Sequence, residues 1–300
     1  MINLARAIVV GVVFFTAGAG ANKALAEEDW VPHLAGIGEG QEVGVVPPAG
    51  LYLFNEVDWT STSIFYDFNK NYRYTTHIAV DVPALLWAPG VQFFGADYDA
   101  GIVQPFDYAS TSGPGHPRTN LGTRGGIYDT VLIPGQLSWK LPDNVFFKTS
   151  LYVYLPDGNF EKPSVMAFPN SIGFFALEPN LNLTYAPGPW NFSAGVYYDH
   201  NFENETTHYT SADILGGDYT VMRWFGRWGL GVGGSSQTQF NNDTLDGVMV
   251  PNSKTSNYGA GPIVSYNFGA AVLQFTYNYR FSDPYIVQTS EFWTDLSLRF

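Results

Sequence analysis

Short turns and long polar stretches alternate along this 300-residue chain, and that rhythm limits what the chain can fold into. Ala88-Pro89-Gly90, Leu141-Pro142-Asp143-Asn144, Ala186-Pro187-Gly188-Pro189, Phe225-Gly226-Arg227 and the break near Phe268-Gly269 read as tight turns. Between them lie the longer stretches Ser61–Tyr72, Asp107–Gly126, Pro156–Asn170, Glu203–His208, Asn241–Ser256 and Ser282–Thr289. Tight turns at one end and long loops at the other describe an all-β fold: an antiparallel up-and-down β-barrel crossing an outer membrane.

The segments between these connections have the period of two that strands require. They fall at roughly 51–60, 73–87, 91–106, 127–140, 145–155, 171–185, 190–202, 209–224, 228–240, 257–267, 270–281 and 290–300, about twelve strands in all. In the last of them Phe292, Thr294, Leu296, Leu298 and Phe300 share one face, and Glu291, Trp293, Asp295, Ser297 and Arg299 the other. An aromatic residue at the end of that strand suits a closing strand in the lipid boundary. In 270–281 the face Ala271, Leu273, Phe275, Tyr277, Tyr279, Phe281 opposes Gln274, Thr276, Asn278 and Arg280. In 171–185, Leu177, Leu181, Leu183 and Tyr185 oppose Glu178, Asn180, Asn182 and Thr184. Hydrocarbon does not tolerate charge and amide at mid-strand, so the polar faces are predicted to line the lumen. The predicted lumen-lining residues are Glu56 and Asp58, His77 and Asp81, Glu178, Asn180 and Asn182, Arg280, Asp295 and Arg299. Within this set His77 and Asp81 lie four apart on one face of one strand. They read as part of a wet interior rather than as a dedicated ligand pair.

Trp87, Trp139, Trp190, Trp224 and Trp228 sit within a few residues of the short turns, which predicts an aromatic girdle at one interface. Trp59 and Trp293 fall nearer the opposite strand ends. Pro83, Pro105, Pro134, Pro179 and Pro262 interrupt strands. Each removes a ladder donor and predicts a bulge or kink facing protein or water.

The amino terminus reads as a targeting segment. Arg6 precedes an apolar run from Ala7 to Ala17, and Ala24-Leu25-Ala26 is an A-x-A site, so residues 1–26 are expected to be a cleaved signal peptide. No later run of about eighteen apolar residues predicts a membrane helix. The mature chain, 27–300, is then one barrel of a Gram-negative outer membrane. Its lead, Glu27–Gly50, ends in Pro47-Pro48-Ala49-Gly50 and has only five acids. A free tail should carry more charge, so the lead is expected in or beneath the barrel. Val31, Leu34, Ile37, Val43, Val45 and Val46 are expected to pack against the lower wall, with His33 at a polar contact; an ordinary periplasmic linker is the other reading.

Charge and chemistry narrow the function. The chain has 14 basic and 27 acidic side chains; without Arg6 and Lys23 the balance is 12 against 27, a net of −15. Such a chain is not expected to bind nucleic acid through phosphates. There is no Cys, hence no disulfide framework or thiolate metal site. None of the five His begins a His-x-Ser pair, and no nucleophile elbow, zinc-protease motif or phosphate loop occurs. Asn241, Asn242, Asp243 and Asp246 beside Gly247 do not have calcium-loop spacing. No cofactor or metal is expected, and no enzymatic activity.

Several short pieces carry a resemblance: His33-x-x-Gly36, Pro47-Pro48-Ala49-Gly50-Leu51-Tyr52, Glu178-Pro179-Asn180-Leu181-Asn182-Leu183-Thr184-Tyr185, Gly261-Pro262-x-Val264-Ser265-Tyr266 and the Phe-Trp-x-x-Leu ending. The chain resembles the outer-membrane proteins grouped as "putative MetA-pathway of phenol degradation". That resemblance implies a transporter or channel for passive uptake of small apolar or aromatic compounds. The expected partners are outer-membrane lipid and lipopolysaccharide, the barrel-assembly machinery and a small-molecule solute. A structural or surface-interaction barrel without a through-path is the first alternative, and a lipid-modifying barrel enzyme the second.

Overall fold

The computed structural model describes residues 31–66, 72–112, 120–161, 170–283 and 288–300. The predicted signal peptide, the first residues of the lead and parts of four predicted loops lie outside the described residues.

Twelve antiparallel strands form one closed ring. They are β1 (Gly50–Tyr66), β2 (Tyr72–Ala88), β3 (Ala96–Val103, resuming as Phe106–Ser112), β4 (Asn120–Ile127, resuming as Val131–Leu141), β5 (Val145–Tyr154), β6 (Ala176–Tyr185), β7 (Trp190–Asn201), β8 (Ile214–Phe225), β9 (Trp228–Gln239), β10 (Ser256–Asn267), β11 (Ala271–Asp283) and β12 (Gln288–Arg299). Each pairs with the next, and β12 pairs back onto β1 from Tyr52↔Arg299 to Ser63↔Gln288. Closure leaves no edge strand, which is what a sheet needs in lipid.

The alternation of the sequence becomes an inside and an outside. On β6, Leu181, Leu183 and Tyr185 are exposed while Glu178, Asn180, Asn182 and Thr184 are buried. On β11, Phe275, Tyr277, Tyr279 and Phe281 are exposed and Gln274, Thr276, Asn278 and Arg280 buried. The apolar outer face and the polar inner face are the inverse of a soluble core, as a lipid-facing barrel requires.

Some boundaries differ from the sequence reading. β1 runs on through Ser61-Thr62-Ser63, which reads as loop by polarity but pairs on both sides, with β2 and β12. β8 starts only at Ile214, because Tyr209–Thr210 pairs instead with Thr244–Leu245 in a small sheet. β6 starts only at Ala176, because Ile172 and Phe174 turn inward and are almost fully buried. The prolines act unequally. Pro105 lies in the break of β3, and Pro134 in a register shift of β4 between Leu132 and Gly135. Pro179 and Pro262 leave only gaps in pairing on one side, with register kept on either side of each gap.

The breaks of β3 and β4 face each other. Tyr128 N–H donates to Pro105 O (3.0 Å) and Gln104 N–H to Pro83 O (3.1 Å), so the ladder is carried across. Beside them Asp129, fully buried, accepts from Ser171 Oγ (2.8 Å), Ile172 N (2.7 Å) and Gly158 N (3.0 Å). This bracket turns residues 170–175 into the barrel. Ile172 and Phe174 there join Val80, Val82, Tyr128, Val131 and Tyr154 in an apolar cluster.

Candidate functional site

The lead runs inside the ring. Turns closed by Ile37 N→Leu34 O, Glu39 N→Gly36 O and Val45 N→Glu42 O compact it. Its backbone amides find inward-facing oxygens on the wall: Gly36 N and Gly38 N donate to the two carboxylate oxygens of Asp218 on β8 (2.8 and 2.9 Å), Gly40 N to Thr220 Oγ1 (2.8 Å) and Gly44 N to Thr184 Oγ1 (2.8 Å). Its carbonyls are met in turn by Gln237 on β9 (to His33 O, 2.9 Å), Gln274 on β11 (to Glu39 O, 2.7 Å), Ser138 on β4 (to Gly44 O, 2.7 Å) and Arg280 (to Ala35 O). The backbone polar groups of an irregular segment at membrane depth are thereby satisfied by protein. Glycine is required at Gly40, where φ is +82° and a Cβ would fall 2.0 Å from Gln274 Oε1.

Two side chains pin the segment. His33 is stacked on Tyr197 (3.6 Å between centroids), with Nδ1 3.0 Å from Glu178 and Nε2 3.4 Å from Asp218. Burial alone would lower the imidazole, but Glu178 and Asp218 outweigh it and hold His33 well above the usual histidine range. Glu39 is buried and accepts from Asn278 Nδ2 at both oxygens (3.0 Å each). Burial, with the Asp218 carboxylate, pushes its carboxyl up to about 8. Leu34 and Ile37 pack on the apolar cluster.

Glu56, Asp58, Glu178, Asn180, Asn182, Arg280 and Asp295 are all buried and inward. Several of them meet. Arg280 Nε donates to Glu291 (2.7 Å), Gln274 to Asp295 (2.8 Å), Asn180 to Glu178 (2.8 Å), and Gln41 of the lead to Glu56. Tyr154 also donates to Glu178 (2.5 Å). Arg299 is exposed at the short-turn mouth, where it donates to Ala49 O (3.1 Å). His77 and Asp81 do not line the lumen. Both are exposed on the outer face of β2, and Asp81 accepts from Asn55 Nδ2 (2.9 Å). On this strand the inward face is Val80, Val82, Leu86 and Ala88, because it meets the apolar cluster and an apolar cavity wall. Trp293 is inward and almost fully buried, whereas Trp59 is outward.

Beside the lead a cavity of ≈ 610 Å³ remains. Its apolar wall includes Phe54, Val82, Leu86, Val103, Ile133 and Tyr152, and Asp99, Gln136 and Lys148 also line it. The sequence reading missed Asp99, Gln136, Lys148 and Asp218. The only signal for them is single polar residues at alternate positions of otherwise mixed strands.

A family model described as "Putative MetA-pathway of phenol degradation" matches residues 62–296, well over half of the chain. The chain belongs to this family. Among solved structures, it is similar to the COG4313 outer membrane channel from Pseudomonas putida F1, at 12% identity and a TM-score of 0.71, over 85% of this chain and 97% of that one. At that identity the likeness shows the barrel fold. Looser likenesses are to the β domain of the Bordetella autotransporter BrkA (13% identity, TM-score 0.46, 84% and 100% covered) and to the CymD monoaromatic hydrocarbon channel (10%, 0.44, 85% and 89%). No curated protein matches the chain.

Proposed function

We propose that this family member is a passive outer-membrane channel for small apolar or aromatic compounds, its lumen partly filled by its own amino-terminal segment. The observation that carries the reading is the cavity of ≈ 610 Å³ left between that segment and an apolar stretch of wall on β1–β5. On that wall Phe54, Val82, Leu86 and Ile133 form an apolar stretch beside the polar Asp99, Gln136 and Lys148, and that stretch suits an apolar or aromatic solute. Family membership supports the same reading. Export through a cleaved signal peptide ending at Ala26, insertion by the barrel-assembly machinery of a Gram-negative cell and contact with lipopolysaccharide belong to the proposal. Catalysis does not.

Proteoliposomes test it. Toluene-sized neutral aromatics should equilibrate faster into vesicles carrying the folded protein than into empty ones, while glucose should not. Equal rates with and without protein would reject the channel and favour a barrel with a structural or surface role.

A further inference from the structure

A second hollow, of ≈ 460 Å³, lies on the outer face of β6–β9. Its sides are the outward Leu183, Tyr185, Phe192, Val221 and Val232. Tyr219 marks its end away from the short turns. Ala194 on β7 and Gly234 on β9 flank Tyr219, and neither has a side chain long enough to cover the wall. The Tyr219 ring leaves the space open as well, because its hydroxyl turns away from the short-turn end to within 3.3 Å of Ser236 Oγ.

The other end of the hollow leads to a charge. Arg223 is two residues beyond Val221 on the same face of β8, and is exposed beside the Phe225-Gly226-Arg227 turn. Its guanidinium lies over the ring of Trp190, directly across on β7 (5.2 Å), and over that of Phe225 (4.9 Å). The two rings fix the plane of the guanidinium and leave its N–H edges for an acceptor. Among the described residues no carboxylate pairs with Arg223. Arg227, also exposed, adds a second positive charge in the turn. At the rise of a strand, the hollow sits roughly 7–14 Å along β8 from Arg223, deeper in the membrane.

We propose that β6–β9 hold one phospholipid of the periplasmic leaflet, with its phosphate on Arg223 and the first part of an acyl chain in the hollow. The short-turn end of such a barrel is the periplasmic one, so the lipid at this depth is a glycerophospholipid and not lipopolysaccharide. A phosphate takes two parallel hydrogen bonds from the guanidinium fork. Filling the hollow releases no water inside hydrocarbon, and the gain there is van der Waals contact alone. The headgroup therefore supplies most of the preference over bulk lipid. A second copy of the chain fits the hollow less well. Related by a twofold axis along the membrane normal, it would bring its own Arg223 to the same depth, like charge against like charge. The site is on the lipid face and does not depend on what the lumen passes.

Native mass spectrometry of the folded full-length protein, released from detergent micelles, tests this with dioleoylphosphatidylglycerol, dioleoylphosphatidylethanolamine and dioleoylglycerol at equal concentration. The unmodified protein should retain one molecule of either phospholipid at least about tenfold more strongly than dioleoylglycerol, since a charge-assisted hydrogen bond is at stake. Arg223→Gln should remove most of that preference. Ala194→Trp fills the hollow, leaves the arginine in place and should weaken retention of both phospholipids. Lys140→Gln removes an exposed charge from the same rim at β4 and should change nothing. Heat-modifiable gel mobility establishes that each variant is folded. Four results would each overturn the site: no one-to-one adduct, equal retention of dioleoylglycerol, undiminished retention in both folded Arg223→Gln and Ala194→Trp, or an equal loss in Lys140→Gln. A protein dimer in place of the lipid adduct would also overturn it and assign the hollow to a second copy. The three-lipid comparison on the unmodified protein stands even if a variant does not fold.

Discussion

His33 and Glu39 set how firmly the lumen is filled, and their ionisation gives that filling a sign with pH. His33 faces Glu178 from β6, Asp218 from β8 and the Tyr197 ring from β7. Glu39 faces Asn278 and, at longer range, Arg280, Glu291 and Asp218. Both groups are raised in the seated segment relative to water. A raised group contributes stability that is fully present below its free value and lost as pH rises through the seated one. The Glu39 contribution therefore fades between its ordinary 4.5 and about 8. That of His33 fades above its ordinary 6.5. Conductance in planar bilayers should rise with pH across this span, and Glu39→Gln should flatten the lower part of the rise. A conductance that falls with pH would contradict the assignment. At the same scale, Asp129→Ala removes the acceptor of one hydroxyl and three amides. It should cost about 3 kcal/mol of unfolding free energy in urea titrations, and expose residues 170–175 to protease.

Strand by strand, the sequence was legible wherever a face meets either lipid or a polar interior. β6, β11 and β12 do both, so their alternation separates outward from inward side chains, except that Arg299 lies exposed at the short-turn mouth. β2 does not. Its inner face packs on Ile172 and Phe174 and on the cavity, so it is apolar, and the rule that polar residues face inward misplaces His77 and Asp81. Ile172 and Phe174 themselves read as the start of a strand, because nothing in their pattern tells an inward loop from β-structure. The lead is legible only as a segment too apolar for a free tail. Its seat depends on where glycine lets the backbone approach the wall. A Cβ at Gly44 would fall 2.7 Å from Phe146 O and 2.7 Å from Thr184 N, both backbone atoms that cannot turn away. Gly44→Val should therefore unseat the lead without harming the ring. Proteinase K should then cleave within residues 31–49 of the variant, leaving a heat-modifiable barrel, and spare the unmodified protein. Equal protection of both would show that Gly44 does not need its close approach.

For the whole molecule, the alternation of short turns and long loops was enough to give twelve strands and closure, because a membrane barrel leaves little choice of topology. What fills the ring was not written in any periodicity. It arises from a segment of irregular backbone whose amides and carbonyls are matched one by one to strands β4, β6, β8, β9 and β11. The central claim is that this segment sits inside a closed ring and limits what passes. With no native Cys, one engineered pair reads it directly. A Cβ at Gly38 would lie 3.4 Å from the Asp218 Cβ, close to the separation a disulfide spans. In the folded Gly38→Cys, Asp218→Cys protein the bond should form under mild oxidation, conductance should be low, and reduction should raise it several-fold. A pair that stays reduced in a folded barrel, with Cys at position 38 freely labelled by a maleimide from solution, would contradict the account.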